Sequence, residues 1–225
     1  MYSRKAENGE LVTFGVSGKL WHGVLVMFDR ESESFWTQLD GRAIVGARAG
    51  ERLEHYPSIF TTWSAWKAEH PDTLVLFKPE DERERKESSY ASYFADPERL
   101  FVPHLGEELG GIEAKDVVFG VQHGDHALAV SRDLLARVRI VNTLVGSRPV
   151  AILHDPDSGY AHAVSRLAQG KVVFLEPLPG QKLPRCRDAW TESELDAGKL
   201  EAVRLDRAFW YAWSRSHRGS RVLAD

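Results

Sequence analysis

The stretch Trp63-Ser64-Ala65-Trp66-Lys67-Ala68-Glu69-His70 returns 147 residues later as Trp210-Tyr211-Ala212-Trp213-Ser214-Arg215-Ser216-His217. The match runs on to Val75-Leu76 against Val222-Leu223, so six of 14 positions are identical, three of them the rare residues Trp, Trp and His. Self-similarity at a fixed spacing is the mark of a duplicated unit. Further upstream, Phe35-Trp36-Thr37 lines up with Ala189-Trp190-Thr191, and Ser3-Arg4-Lys5-Ala6 with Ser165-Arg166-Leu167-Ala168. The expected organisation is a first repeat over 1–78, a linker over 79–115 and a second repeat over 116–225. The second repeat begins near Asp116, well before Ser165, whereas almost nothing precedes Ser3. By that comparison the first repeat lacks about 46 residues, so the chain reads as a fragment or as a shortened repeat.

Working outward, each repeated stretch predicts an amphipathic helix. Ile59, Trp63, Trp66 and His70 fall at i, i+4, i+7 and i+11 on one stripe. Ser58 is the expected N-cap, and Pro71 follows the last turn. Asp206 is the expected cap of the second helix. A short strand should follow each helix, over 74–77 and 222–223. Before the second helix the chain is written in short apolar runs. Val117–Val121 and Ala127–Val130 flank His123-Gly124-Asp125-His126, which predicts a hairpin. Runs over 139–145 and 149–154 predict another, and 160–165 and 171–175 follow as strands. The first copy offers 10–16 and 24–29. The predicted fold is therefore mainly β with minor α, as two pseudo-symmetric repeats, each with one helix packed on its strands.

Composition narrows the function classes. The 225 residues carry 29 Lys+Arg against 33 Asp+Glu, a net charge of −4. Nucleic-acid and membrane-coating surfaces need a basic excess, which this balance argues against. No apolar run reaches the roughly 20 residues that span a bilayer, and no signal segment follows Met1. The single cysteine, Cys186, excludes an internal disulfide. Asp81–Glu87 is a mixed-charge run without an apolar residue, read as a solvated linker. Tyr90, Tyr93, Phe94 and Phe101 are the residues that could pin the rest of the linker to a domain.

The stretches Phe14-Gly15-Val16-Ser17-Gly18-Lys19-Leu20 and 25–38, then Gly41-Arg42-Ala43-Ile44-Val45-Gly46, Ala49-Gly50-Glu51-Arg52-Leu53 and 61–76, resemble the signature of the bacterial domain-of-unknown-function 3179 family. The echo Tyr90-Ala91-Ser92-Tyr93 and the restart at Val118-Phe119-Gly120-Val121 extend the resemblance over nearly the whole chain. It implies no defined chemistry. It does imply an exported protein, with a Cys-Pro-Leu-Cys stretch shortly before the residues matching Ser3-Arg4. Its counterpart in the second copy, His154-Asp155-Pro156-Asp157-Ser158, keeps the proline and neither cysteine.

Several constellations could carry a site. Gly15-Val16-Ser17-Gly18-Lys19 has the wrong spacing for a nucleophile elbow or a phosphate loop, and reads as a bulge. Arg30 in Asp29-Arg30-Glu31 could hold a ligand carboxylate, or pair with Asp29 to organise a turn. Trp36 and Gln38, two apart on a strand, share a face and could form a platform for a small polar ligand; alternatively Trp36 is core. Ser17, Asp29, Arg30, Trp36 and Gln38 are thus the candidate ligand residues. His123, His126, His154 and Asp155, with Asp125 and Asp157, form a weak metal-like set made of turn residues. His70 and His217 sit where an imidazolium suits the helix dipole. Cys186, between Arg185 and Arg187, could have a lowered thiol pKa.

No cofactor is implied. The expected function is a non-catalytic binding or structural module of an exported protein, with a small polar ligand and no nucleic-acid partner. A homodimer through a strand edge near 2–5 or 12–16 is also expected. The alternative is an enzyme, metal- or thiol-dependent, with its key residues before Met1.

Overall fold

The computed structural model of the chain describes residues 1–76, 90–101 and 112–224. It is mainly β with minor α, as the sequence predicts, but has four short helices among the described residues where two were expected. The charged run over 81–87 lies outside the described residues.

In the first half, β1 (Phe14–Trp21), β2 (Val24–Asp29), β3 (Phe35–Thr37) and β4 (Ala43–Val45) form an antiparallel sheet in that order. Two helices follow, α1 (Trp63–Glu69) and α2 (Ala91–Ala95). The second half begins with the hairpin β5 (Val117–His123) and β6 (His126–Ser131), paired from Val118↔Ser131 to His123↔His126. The Gly124-Asp125 turn is where it was expected. Helix α3 (Arg132–Val138) comes next, capped by the Ser131 hydroxyl, which accepts from the Leu134 amide at 3.2 Å. It was not foreseen.

Strands β7 (Ile140–Val145), β8 (Arg148–Asp155) and β9 (Tyr160–Ser165) form a meander, joined on its open side by β15 (Ala202–Val203). Between them the chain makes the small ladder β10 (Leu167–Ala168) with β11 (Lys171–Val172), and the sheet β12 (Leu175–Pro177), β13 (Arg185–Asp188) and β14 (Glu194–Asp196). The chain ends with β16 (Asp206–Phe209), α4 (Trp210–Ser216) and β17 (Arg221–Leu223). β16 pairs with β5, and β17 lies parallel to β6.

Burial explains these assignments. Residues alternate across a strand. Phe119, Val121, Leu128 and Val130 face the β7–β9 meander, meeting Val150, Ile152, Ala161 and Ala163. Val118 and Ala129 face the other way, onto Trp210 and Trp213 of α4. The meander is covered on its far side too, by Leu175, Leu183 and Cys186. Strands covered on both faces read as continuous apolar runs, and every residue of β9 is buried.

The two helices were expected at Ser58 and Asp206, and both caps fall elsewhere. α1 starts at Trp63, with the Thr62 hydroxyl accepting from the Ala65 amide at 3.3 Å. Residue 58 lies outside because Phe60 is held extended, bridged to Ala161 of β9. Asp206 is used up in β16, and α4 starts after Phe209 with no side-chain cap bond. The strand expected over 74–77 is absent over the described residues 74–76. Leu74, Val75 and Leu76 are 95%, 64% and 88% exposed.

Besides the Phe60–Ala161 bridge, the halves touch at several further places. Gly23, in the β1–β2 turn, lies against the Tyr211 ring, where an added Cβ would come within 2.3 Å. Leu39 and Val24 join the cluster around Trp210 and Trp213. In α2, Tyr93 is buried, stacks on Phe101 at 4.1 Å and hydrogen-bonds the Tyr211 hydroxyl at 3.1 Å. Those aromatic residues do pin the linker, and they pin it to the second half. No helix among the described residues is long and apolar enough to cross a membrane.

Candidate functional site

Asp29 ends β2 and is fully buried. Its carboxylate accepts the Trp36 indole N–H at 2.8 Å, the Ser32 amide at 2.6 Å and the Ser32 hydroxyl at 2.8 Å. Burial alone would raise its pKa, but these donors outweigh burial and hold it below the usual carboxylate value. Ser34 extends the network: its hydroxyl meets Ser32 at 2.8 Å and accepts from the Arg48 amide at 3.1 Å. Arg48 is itself buried, ion-paired with Glu10 and, at 3.3 Å, with Glu51. Asp29 therefore organises a turn through Ser32 and Trp36. Arg30 has no part in this.

The other proposed ligand residues do not converge on it. Arg30 is exposed, its guanidinium 5.4 Å from the Phe28 ring centroid. The Ser17 hydroxyl donates to the Val26 carbonyl at 2.5 Å within β1–β2. Gly18 beside it has φ +72°, and the β1–β2 register shifts between Val16 and Leu20, as a bulge requires. Trp36 is completely buried in a cluster with Ala43 and Leu53, whereas Gln38 is exposed in the turn beyond β3. The shared strand face that would have made a platform ends at Thr37.

A matching turn lies in the second half, in a different register from the one the sequence offers. The Asp29 amide donates to the Ser34 carbonyl at 3.0 Å, and the Asp188 amide to the Ser193 carbonyl at 3.0 Å. Glu33 and Glu192 both have φ +56°. The spacing is 159 residues throughout. By this register Trp190 falls opposite Glu31 and not opposite Trp36, and Trp190 is 66% exposed. Asp188 accepts from the Phe174 amide at 3.0 Å and from the Thr191 hydroxyl at 2.8 Å, donors that again lower its pKa.

The metal-like set is pulled apart by the sheet. His123 and His126 are exposed, paired across the β5–β6 turn. The His126 ring lies beside Gly146, at the β7–β8 turn. His154 and Asp155 are at the far end of β8, about 26 Å along an extended strand from Gly146. His154 is buried, bound through Nδ1 to the Tyr160 carbonyl at 2.8 Å, and Asp155 pairs with Arg139 at 3.0 Å. Among the described residues, no three His, Cys, Asp or Glu side chains gather at metal-ligand distance.

Cys186 is a correction. It points from β13 into the core and is fully buried, and burial pushes its thiol up to about 11. The flanking arginines belong to the opposite face. His217 is corrected in the same way. It is buried and stacked on Trp213 at 3.8 Å, and burial lowers its pKa against the pull of Asp40 and the Trp213 carbonyl. The neutral imidazole is the favoured form.

Sequence reasoning missed the network that joins the halves. Arg204 reaches Asp206 at 2.8 Å and the Tyr2 hydroxyl at 2.7 Å, and it also donates to the Leu39 carbonyl. Tyr2 donates to that same carbonyl at 2.7 Å. His217 Nε2 lies 3.7 Å from Asp40 Oδ1, beyond hydrogen-bond reach. The Arg204 and Tyr2 bonds fasten the first residues of the chain to the segment that leads into β16, while Asp40 Oδ1 is left buried without a hydrogen-bond partner. Each falls in a separate stretch of sequence, so no motif announces them.

A cavity of about 160 Å³ lies between β5 and the start of α3, lined by Ile112, Asp116, Ser131, Arg132 and Asp133. Ligand pockets run from roughly 300 Å³ upward. By contrast, α1 carries a tryptophan stripe with no buried residue.

The family described as protein of unknown function (DUF3179) matches residues 1–219 of the chain. No curated protein and no solved structure matches it.

Proposed function

The chain belongs to the DUF3179 family of proteins of unknown function, and from that premise we propose that it is a non-catalytic binding module, built from two copies of one unit, that works through exposed apolar faces. The observation that carries this reading is α1. A seven-residue helix is marginal in water without packing, and here Trp63 is 53% exposed, as are Leu74, Val75 and Leu76 shortly after the helix. Tryptophan is the residue type most enriched at binding hot spots, and contiguous exposed apolar surface marks interaction sites. The polar candidates point the same way: the Asp29, Asp188 and Arg204 carboxylate and guanidinium groups are spent on internal bonds.

A second copy of the chain pairing along β1 is the subordinate form of this proposal. β1 is an outer strand with Val16 71% exposed, but its Gly18 bulge and Lys19 are features that blunt edges.

The test is site-specific photo-crosslinking of the full chain in its source cells, with the photo-reactive residue at position 63 and a control at exposed position 171. The reading expects a discrete adduct from position 63, with its partner peptide identified by mass spectrometry, and none from position 171. Equal, diffuse labelling from both positions would contradict it.

A further inference from the structure

α1 and α4 end in the same local structure. The His70 amide donates to the Trp66 carbonyl at 2.8 Å, and the His217 amide to the Trp213 carbonyl at 2.9 Å. His70 has φ −128° and ψ 68°; His217 has φ −124° and ψ 72°. The Trp66 indole donates to Thr73 Oγ1 at 2.9 Å, and the Trp213 indole to Ser220 Oγ at 2.8 Å. The same rings meet in both, Trp66 on His70 at 4.1 Å and tilted by 37°, Trp213 on His217 at 3.8 Å and closer to parallel at 23°.

What covers them differs. Trp213 lies flat on β5: a Cβ added to Gly120 would come within 2.3 Å of the indole. The hairpin presents small residues to α4, with Val118 and Gly120 on β5 and Ala127 and Ala129 on β6. After the helix, Arg221–Leu223 lies parallel to Leu128–Val130. The matching segment 74–76 pairs with no strand among the described residues. The molecule thus contains both the covered and the uncovered form of one half-unit, and the covered form specifies the cover.

We infer that α1 with Leu74–Leu76 is a docking surface for a two-stranded antiparallel β-hairpin of another polypeptide. That hairpin lays Gly, Ala or Val side chains against Trp63 and Trp66, with a glycine beneath the Trp66 indole. Its second strand runs parallel to Leu74–Leu76. The inference rests on the binding-module reading and names the partner's chemistry.

The probe is a synthetic hairpin with the sequence of residues 116–132, in which Phe119, Val121, Leu128 and Val130 are replaced by threonine for solubility. It is titrated into the full chain, with calorimetry for stoichiometry and the Trp66 indole N–H followed by NMR. The expected result is saturable one-to-one binding with slowed exchange at Trp66. Gly120→Leu in the peptide should abolish binding. Val75→Asp in the chain should weaken it at least tenfold, and because Val75 is exposed that variant keeps the fold.

No saturable binding overturns the inference, as does binding indifferent to both changes. A Trp66 N–H already protected without peptide would place another part of this chain on the face and overturn it. A mass doubling removed by Val75→Asp would put a second copy there and overturn it too. Failure here beside a discrete adduct from position 63 leaves the binding-module reading standing, and failure of both removes both.

Discussion

Helices α1 and α4 end on the same histidine, set the same indole against it and tie that indole to a hydroxyl seven residues on. Yet α4 buries Trp210, Tyr211, Ala212 and Trp213, and α1 buries nothing. Local sequence therefore dictates the helix, its end and the ring contact. Burial depends on strands contributed from elsewhere, and only α4 has the β5–β6 hairpin beneath it. The Asp29 and Asp188 turns make the complementary point. They share backbone geometry, but Asp29 closes over a buried tryptophan and Asp188 beside an exposed one.

The largest expected difference comes from truncating the two indoles. Trp213→Ala should cost about 3–5 kcal/mol, the price of a large cavity in a packed core. Trp66→Ala should cost clearly less, because the half-buried Trp66 indole has no strand beneath it and leaves no core cavity when removed. Urea midpoints at unchanged m-value measure both. Equal losses would mean that α1 is covered after all.

Asp29→Ala should cost about 2–3 kcal/mol, because it strands the buried Trp36 N–H and removes bonds to a charged acceptor. Asp188→Ala should cost less, because its donors, the Phe174 and Trp190 amides and the Thr191 hydroxyl, belong to exposed residues and strand no buried indole. Both carboxyls sit below their ordinary value of 3.8 in the folded chain. Their stabilisation is complete well above pH 3.8 and is lost as pH falls through and below it. Each alanine variant should therefore flatten the acid limb of a stability-against-pH curve.

A milder slope is expected between pH 7 and 5. Burial lowers His154, His162 and His217 below 6.5, so the unfolded chain takes up these protons more readily. Stability is full well above pH 6.5 and declines below it. His162→Gln, which removes one of these groups, should reduce that slope; an unchanged slope would assign it to other groups. The smallest contrast concerns the indole acceptors. Ser220→Ala should cost about 1 kcal/mol and Thr73→Val clearly less, because water replaces the partner only at Trp66.

How far the sequence could be read follows the same division. The β5–β6 and β7–β8 hairpins were legible because alternation and turn residues act locally. The helices were legible from their stripes, but both caps were misplaced: Phe60 is drawn into a bridge with Ala161, and Asp206 into a pairing with Gly120. Those are long-range events that no window of sequence contains. α3 was missed because Ser131 and Leu135 give it only one capping residue and one buried position. In the candidate site, the link between Asp29 and Trp36 was foreseeable only as proximity. The partners Arg48, Tyr2 and Arg204 were invisible, being brought together by tertiary contact from unrelated stretches. The Trp36–Trp190 alignment rests on two identities in three residues, whereas the matching turn geometry at Asp29 and Asp188 sets Trp190 opposite Glu31.

The central claim is that α1 is the uncovered counterpart of α4. Its most direct test is indole N–H exchange at Trp66 and Trp213, read in one NMR experiment on the full chain. Both groups donate to a hydroxyl at nearly the same distance, so the bond itself cannot separate them. Exchange at Trp213 should be slower by orders of magnitude, because only its ring is sealed beneath the hairpin. Equal protection of the two would contradict the account.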